Sequence, residues 1–263
     1  MKHATHSSKK LVLELFSGSG KVSRYFKRAG FASIAFDINN GYHFDLTNPT
    51  VVSVILGWIS SGCILGVCLE TQCSSWSRAR RGPPSSNWCA IRSNTYIYGI
   101  SGLRPCDQLK VDNGNTQARN TAKIINSCIH HFVPCLMENP QTSMLWDAPC
   151  ISRLCRLSLA QCQSFDMCQY NTRWRKSTKV ISWHCGHELD LQRKCQGRNG
   201  ICSLTHKPHI VLTGPSNVPG MLWTSLAQVY PDALARKLAN KLIDASYAGR
   251  RTFLGSPVSK RLK

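Results

Sequence analysis

The sequence predicts an α/β protein built on a mostly parallel sheet with helices on both faces. Three observations carry that prediction. Short apolar runs alternate with longer amphipathic stretches along residues 11–183. A glycine turn, Ser17-Gly18-Ser19-Gly20, directly follows the first of those runs and opens a helix-like stretch. The chain has 263 residues, 42% hydrophobic and 17% charged, which suits one such domain with a small insert and excludes global disorder.

Each element follows from its local pattern. Residues 11–16 (LVLELF) form an apolar strand that stops at the glycine turn. Residues 21–29 read as a helix, because Val22, Tyr25, Phe26 and Ala29 share one face. Residues 32–38 read as the second strand, ending beside Asp37. The uncharged run 51–69 is 19 residues long but is interrupted by Ser53, Gly57, Ser60, Ser61 and Gly62. A helix over 49–59 and a buried strand over 63–69 are therefore expected, not a membrane span. A polar loop over 71–92, a helix over 118–132, a strand over 133–137 and a helix over 143–157 follow. Strands over 164–170, 178–183 and 209–212 and an amphipathic helix over 226–247 complete the reading. Functional residues belong at the carboxyl ends of the strands, near the topological switch.

Charge and cysteine usage narrow the setting. The 33 Lys and Arg against 13 Asp and Glu leave a formal net charge of +20, which points to a polyanionic partner, most simply nucleic acid. Of the 14 cysteines, Cys63, Cys68, Cys128, Cys135, Cys155 and Cys168 sit in apolar stretches, as small hydrophobes would. The N-terminus MKHATHSSKK has no apolar core of a secretory signal. A reducing, intracellular setting is expected, nuclear if the source is eukaryotic. The stretch 250–263 carries five basic residues and no acidic one, and reads as a tail.

A strand followed by a glycine turn and a helix lets the backbone approach a cofactor closely and offers it N–H groups. Asp37, 17 residues past Gly20, could accept hydrogen bonds from ribose hydroxyls. Asp45 suits an adenine amino group or, equally, a capping role. Nicotinamide and S-adenosylmethionine sites share this logic, although Ser23 stands where the dinucleotide fingerprint needs its third glycine.

Four motifs, in one order, resemble the DNA (cytosine-5) methyltransferase family. The segment LELFSGSGKVSRYFKRAGFASIAFDI resembles its S-adenosylmethionine-binding segment. Gly66 to Ser77 (GVCLETQCSSWS) resembles its nucleophile loop, with Gln72 where that family has proline. Met137-Glu138-Asn139-Pro140 resembles its Glu-Asn-Val element, and Asn171-Thr172-Arg173-Trp174-Arg175 its Gln-x-Arg-x-Arg element. The family's closing Gly-Asn-Ser-Val segment is absent, and Tyr230-Pro231 is a candidate substitute. The loop style is most similar to methyltransferase-like segments of mobile elements and phages.

The resemblance implies a Rossmann-like S-adenosylmethionine-dependent methyltransferase fold and a set of roles. Phe16, Ser17, Gly18, Gly20, Asp37 and Asp45 would hold the cofactor. Cys73 would be the nucleophile that adds to C6 of cytosine, its pKa lowered by basic neighbours. Glu138 would hydrogen-bond N3 and the exocyclic amine, and Arg173 and Arg175 would orient the base or bind phosphate. Arg78, Arg80, Arg81, Lys176, Arg193, Lys194 and Arg198 are the candidate nucleic-acid contacts, with DNA the expected partner and RNA left open. By domain, this makes 1–10 a basic tail, 11–183 the catalytic domain, 184–222 a Cys/His-rich insert, 223–249 a packing helix and 250–263 a second tail.

Within the insert, Cys195, Cys202, His206 and His209 could supply zinc ligands, with Cys185 or His187 as alternatives. Other functions stay in view. An N6-adenine methyltransferase needs an Asp/Asn-Pro-Pro-aromatic loop, which Asn139-Pro140-Gln141-Thr142 starts and does not finish. A catalytically inactive nucleic-acid-binding module with the same fold is the alternative outside enzymes. A zinc deaminase is excluded, because no His-x-Glu accompanies a Pro-Cys-x-x-Cys.

Overall fold

The computed structural model describes residues 11–82, 86–87, 89–186 and 190–253, the last five of these by backbone only. The tail 1–10, most of the tail 250–263 and the alternative ligand His187 lie outside the described residues. Six strands form one sheet: β1 (Leu11–Leu15), β2 (Ala32–Phe36), β3 (Ile64–Leu69), β4 (Cys135–Pro140), β5 (Gln161–Asp166) and β6 (Ser177–Trp183), in the order β2-β1-β3-β4-β6-β5. The first four in that order run parallel, and β6 is antiparallel to both its neighbours. This is the Rossmann-like α/β fold expected, with a mostly parallel sheet.

Two helix layers sandwich the sheet. Helices α1 (Lys21–Arg28) and α6 (Asp232–Phe253) cover one face through Val22, Phe26, Leu234, Leu238 and Leu242. Helices α2 (Pro49–Ser60), α3 (Pro105–His130) and α4 (Pro149–Cys155) cover the other through Ile55, Ile59, Ile124, Ile125, Ile151 and Leu154. Strand β3, central and covered twice, is accordingly buried at every residue. Its central place also explains the uncharged run, which divides into α2 and β3 at Gly62 (φ +73°). Among the described residues no helix is long and apolar enough to cross a membrane.

Several expected elements differ. Helix α3 begins at Pro105, not residue 118, because its first half buries polar side chains (Asp107, Asn115) that serve neighbouring arginines and hide the apolar period. The helix expected over 143–157 is a 3-10 turn (Met144–Asp147) followed by α4, interrupted at Ala148-Pro149. The strand expected over 164–170 is β5, three residues earlier, followed by a 3-10 turn (Met167–Tyr170). Residues 209–212 form no strand; Ile210 N–H bonds to the Arg173 carbonyl in irregular chain. The helix expected from 226 starts at Asp232, after Pro231, behind a single turn α5 (Trp223–Leu226).

The chain leaves β1 towards one edge to make β2, then returns to the other side of β1 as β3. That reversal leaves a crevice at the carboxyl ends of β1 and β3, where open α/β sheets take their ligands.

Candidate active site

The strand ends open into one cleft of about 510 Å³, within the ~300–1,000 Å³ range of small-molecule sites. The turn after β1 forms one wall. Phe16 takes φ +58°, and Gly18 and Gly20 take +50° and +63°, so the chain reverses tightly within five residues. Asp37, at the exit of β2, ties that turn down: Oδ2 accepts from Gly18 N–H at 2.8 Å and Oδ1 from Asn39 N–H at 3.0 Å. Asp45 accepts from both the N–H and the hydroxyl of Thr47 at 2.8 Å. Phe16, Ser17, Gly18, Asp37 and Asp45 all line the cleft. Gly20 is not among the lining residues; it caps α1.

Two N–H groups in the first turn of α1 are already taken. Glu14, buried on β1, accepts from Val22 N–H at 3.1 Å and Ser23 N–H at 2.6 Å. A carboxylate therefore occupies the place where a dinucleotide's pyrophosphate would sit. Glu70 stands in the same lining, its carboxyl pushed well up by burial first and then by the charges of Glu14 and Glu138. Glu14, Glu70 and Glu138 all line this end of the cleft, and burial holds the last two towards their neutral forms. The sequence reading passed over Glu14 and Glu70. A carboxylate inside an apolar strand was the signal for Glu14.

Beyond β3, the chain from Thr71 to Cys73 forms the opposite wall. The Thr71 hydroxyl meets that of Thr121 at 2.9 Å, and Asn139 Nδ2 donates to the Thr71 carbonyl at 2.5 Å. Cys73, half-buried, then opens a 3-10 turn (Ser74–Trp76) that buries Trp76. Behind it the Arg92 guanidinium lies 3.5 Å over the Trp76 ring and donates to Ser75 O at 3.0 Å and Asn115 Oδ1 at 2.7 Å. Gly114 lets α3 approach, since a Cβ there would meet the Ser75 hydroxyl and Arg92. A web of buried polar bonds thus positions the thiol.

Glu138 closes the cleft from β4. It is 5% exposed, and its Oε2 accepts from the Tyr230 hydroxyl at 2.9 Å. Its Oε1 is buried with no hydrogen-bond partner among the described residues. Burial pushes the Glu138 carboxyl up, against the pull of Lys176 and Tyr230. Burial also pushes the Cys73 thiol up; the Lys176 ammonium opposes this and Glu138 adds to it. Lys176 is a basic neighbour that lowers the Cys73 pKa as expected, but burial outweighs it and the thiol is raised on balance. Arg78 is held by Asn94 and Asp147, Arg80 by the Cys89 and Asn87 carbonyls and Asp107, and Arg81 by the Arg78 carbonyl. These three line a separate hollow of about 260 Å³.

The remaining basic residues divide in a way the sequence did not show. Lys176, expected on nucleic acid, lines the cleft, its Nζ donating to Ala227 O at 3.2 Å. Arg173 and Arg175, expected at the base, are exposed and absent from the lining; Arg175 pairs with Asp166 at 3.0 Å. Arg193 and Arg198 are exposed, and Lys194 donates to Gln141 Oε1 at 2.9 Å just past the Glu138 strand.

In the insert, the clustered metal-ligand atoms belong to Cys168, Cys195, Cys202 and His209, all within 4.8 Å of one another. His206 is exposed at φ +54° and takes no part, and Cys168, buried as expected, stands in the cluster in its place.

Strand order and site together define a Rossmann-like protein with a polar, acid-floored cleft at its switch point. No protein-family model matches the chain, and no curated protein matches it. Among solved structures, the methyltransferase EhMeth of Entamoeba histolytica is 10% identical with a TM-score of 0.46, over 90% of this chain and 98% of that one. A mutant DNMT2 of Spodoptera frugiperda is 17% identical with a TM-score of 0.31, over 66% of this chain and 50% of that one, so the chain spans about half its length. The fold assignment rests on the strand order itself, and the chemistry on the cleft residues.

Proposed function

We propose that the chain is an S-adenosylmethionine-dependent methyltransferase that methylates C5 of cytosine in DNA through a covalent bond from Cys73. One observation carries the reading: Cys73, Lys176 and a Glu138 with an unpartnered buried oxygen share the cleft with the glycine turn, Asp37 and Asp45. The residues fit the cofactor. Glu14 accepts the α1 N–H groups that a pyrophosphate would otherwise take, and the glycine turn opens into the same cleft. Asp37 and Asp45 supply acceptors for ribose and adenine. A net charge of +20 supports a nucleic-acid substrate.

When bound, the cofactor supplies an electrophilic methyl group. The chain's residues make C5 reactive towards it. Cys73, as thiolate, adds to C6 and ends the ring's aromaticity. Glu138, held towards its protonated form by burial, gives its proton to N3 as the C6–S bond forms, leaving an enamine with electron density on C5. C5 takes the methyl group, and water then takes the C5 proton. The C6–S bond breaks, the electron pair returns to Cys73, and N3 returns its proton to Glu138. Lys176 stabilises both ionised groups. The base must leave the duplex stack to reach this cleft.

The segment Asn139-Pro140-Gln141-Thr142 lacks the second proline and the aromatic of an N6-adenine loop, which disfavours that reading. The test is transfer of tritiated methyl to mixed DNA, with Cys73→Ala in parallel and nucleosides identified after digestion. Label in 5-methylcytosine that disappears in Cys73→Ala supports the proposal. Label in N6-methyladenine overturns it. No label on DNA or RNA, with cofactor binding intact, points to an inactive binding module.

A further inference from the structure

A second cluster of cysteine and histidine side chains joins the insert to the turn after β5. Cys168 lies in the turn after β5, whereas Cys195, Cys202 and His209 come from the irregular chain that follows β6. Their ligand atoms lie within 4.8 Å of one another, and Cys195 Sγ is 3.7 Å from His209 Nε2. A tetrahedral ion with bonds of ~2.3 Å to sulfur and ~2.0–2.1 Å to nitrogen needs ligand separations of roughly 3.5–3.8 Å. The three sulfurs are buried together in a cluster separate from both main cores, and none is in a disulfide.

The surroundings are organised for ligation. Ser203 donates to Cys195 Sγ from its N–H at 3.3 Å and its hydroxyl at 3.5 Å. Gln169 Nε2 donates to Cys168 Sγ at 3.5 Å and Cys202 Sγ at 3.8 Å. Such outer donors orient metal-bound thiolates. Backbone bonds from Cys202 N–H to Lys207 O and from His209 N–H to Gly200 O fold residues 200–209 back on themselves, so Cys202 and His209 reach one point. Apart from an isolated bridge between Ile201 and Pro208, the segment has no regular secondary structure.

We propose that Cys168, Cys195, Cys202 and His209 bind one zinc ion in a closed, structural site. Three thiolates and an imidazole are a zinc donor set, and four protein ligands leave no open position for chemistry. The ion clasps the segment 190–209 to the carboxyl end of β5. Asp166, two residues before Cys168, extends the clasp: it accepts from Cys195 N–H at 2.9 Å, from Arg175 and from Ser177. This holds the strand entry that carries Lys176 into the cleft, and the basic side chains of the insert beside it.

The proposal goes beyond methyl transfer and has its own readout. Full-length chain, purified reduced and without chelator, is assayed for metal by mass spectrometry. About one zinc per chain is expected, lost in Cys168→Ser and Cys202→Ser and retained in His206→Ala and Cys155→Ser. Should the cysteine variants misfold, X-ray absorption on the wild-type chain decides, with three sulfurs and one nitrogen expected around the ion. Three results overturn the site: wild-type chain that neither holds nor takes up zinc, zinc lost in His206→Ala but kept in Cys168→Ser, or a shell without sulfur.

Discussion

The Tyr230 hydroxyl donates to Glu138 Oε2 at 2.9 Å, joining residues 92 positions apart at the back of the cleft. This leaves Oε1 as the one carboxyl oxygen of Glu138 open to a ligand, so the phenol decides which way the acid acts.

Tyr230→Phe therefore removes a positioning bond and one of the forces holding the Glu138 pKa down against burial. Glu138 then keeps its proton to higher pH, and the alkaline limb of a methyl-transfer pH profile moves up. Loss of one hydrogen bond to the acid lowers kcat by up to about tenfold. An unchanged profile would show that the two residues do not act together.

Lys176→Met tests the cation facing both reactive groups. Lys176 opposes the upward push that burial gives the Cys73 thiol. Without it the thiol ionises at higher pH, so less thiolate exists at neutral pH. Alkylation of Cys73, followed peptide by peptide because the chain has 14 cysteines, slows several-fold and its pH midpoint moves up. Arg198→Met, at an exposed side chain outside the cleft lining, has no such effect on Cys73.

Glu14→Gln replaces a carboxylate that accepts two α1 N–H groups with an amide that can accept only through its oxygen. One charge-assisted bond is lost and an N–H faces an N–H. The expected loss is about 1.5–3 kcal/mol in urea unfolding, with weaker S-adenosylmethionine binding because the glycine turn loosens. Full stability in this variant would remove Glu14 from the site's framework.

Asp107 reports on acid stability. Its carboxylate accepts from Lys110 and Arg104, with Arg80 alongside, and these hold its pKa down at about 2, below an ordinary value of 3.8. A depressed folded pKa contributes stability that is complete above the unfolded value and is lost as pH falls through the folded one. The wild-type chain therefore loses stability between about pH 4 and pH 2 through this group. Asp107→Asn is less stable at neutral pH, and its melting temperature is flatter across that window.

Much of the site was legible locally. A strand stopping at Ser17-Gly18-Ser19-Gly20, an aspartate ending the next strand, Cys73 in a polar loop after an apolar run, and Glu138 among apolar neighbours each depend on residues close in the chain. Strand period and turn chemistry are short-range, so a one-dimensional reading reaches them. Helix α3 shows the limit of that reading: its buried Asp107 and Asn115 pair with arginines elsewhere, so its apolar period fails although the helix is sound.

The sequence by itself determined the alternation of strands and helices, the glycine turn, and the residue types available for covalent chemistry. Only the tertiary structure decided that Lys176, not Arg175, enters the cleft, that Tyr230 orients Glu138, and that Cys168 joins Cys195, Cys202 and His209 in place of His206. The reason is physical. Neighbours along the chain set backbone conformation, but the sheet's strand order sets which distant side chains share a small volume, and burial, charge and ligation act through that shared volume.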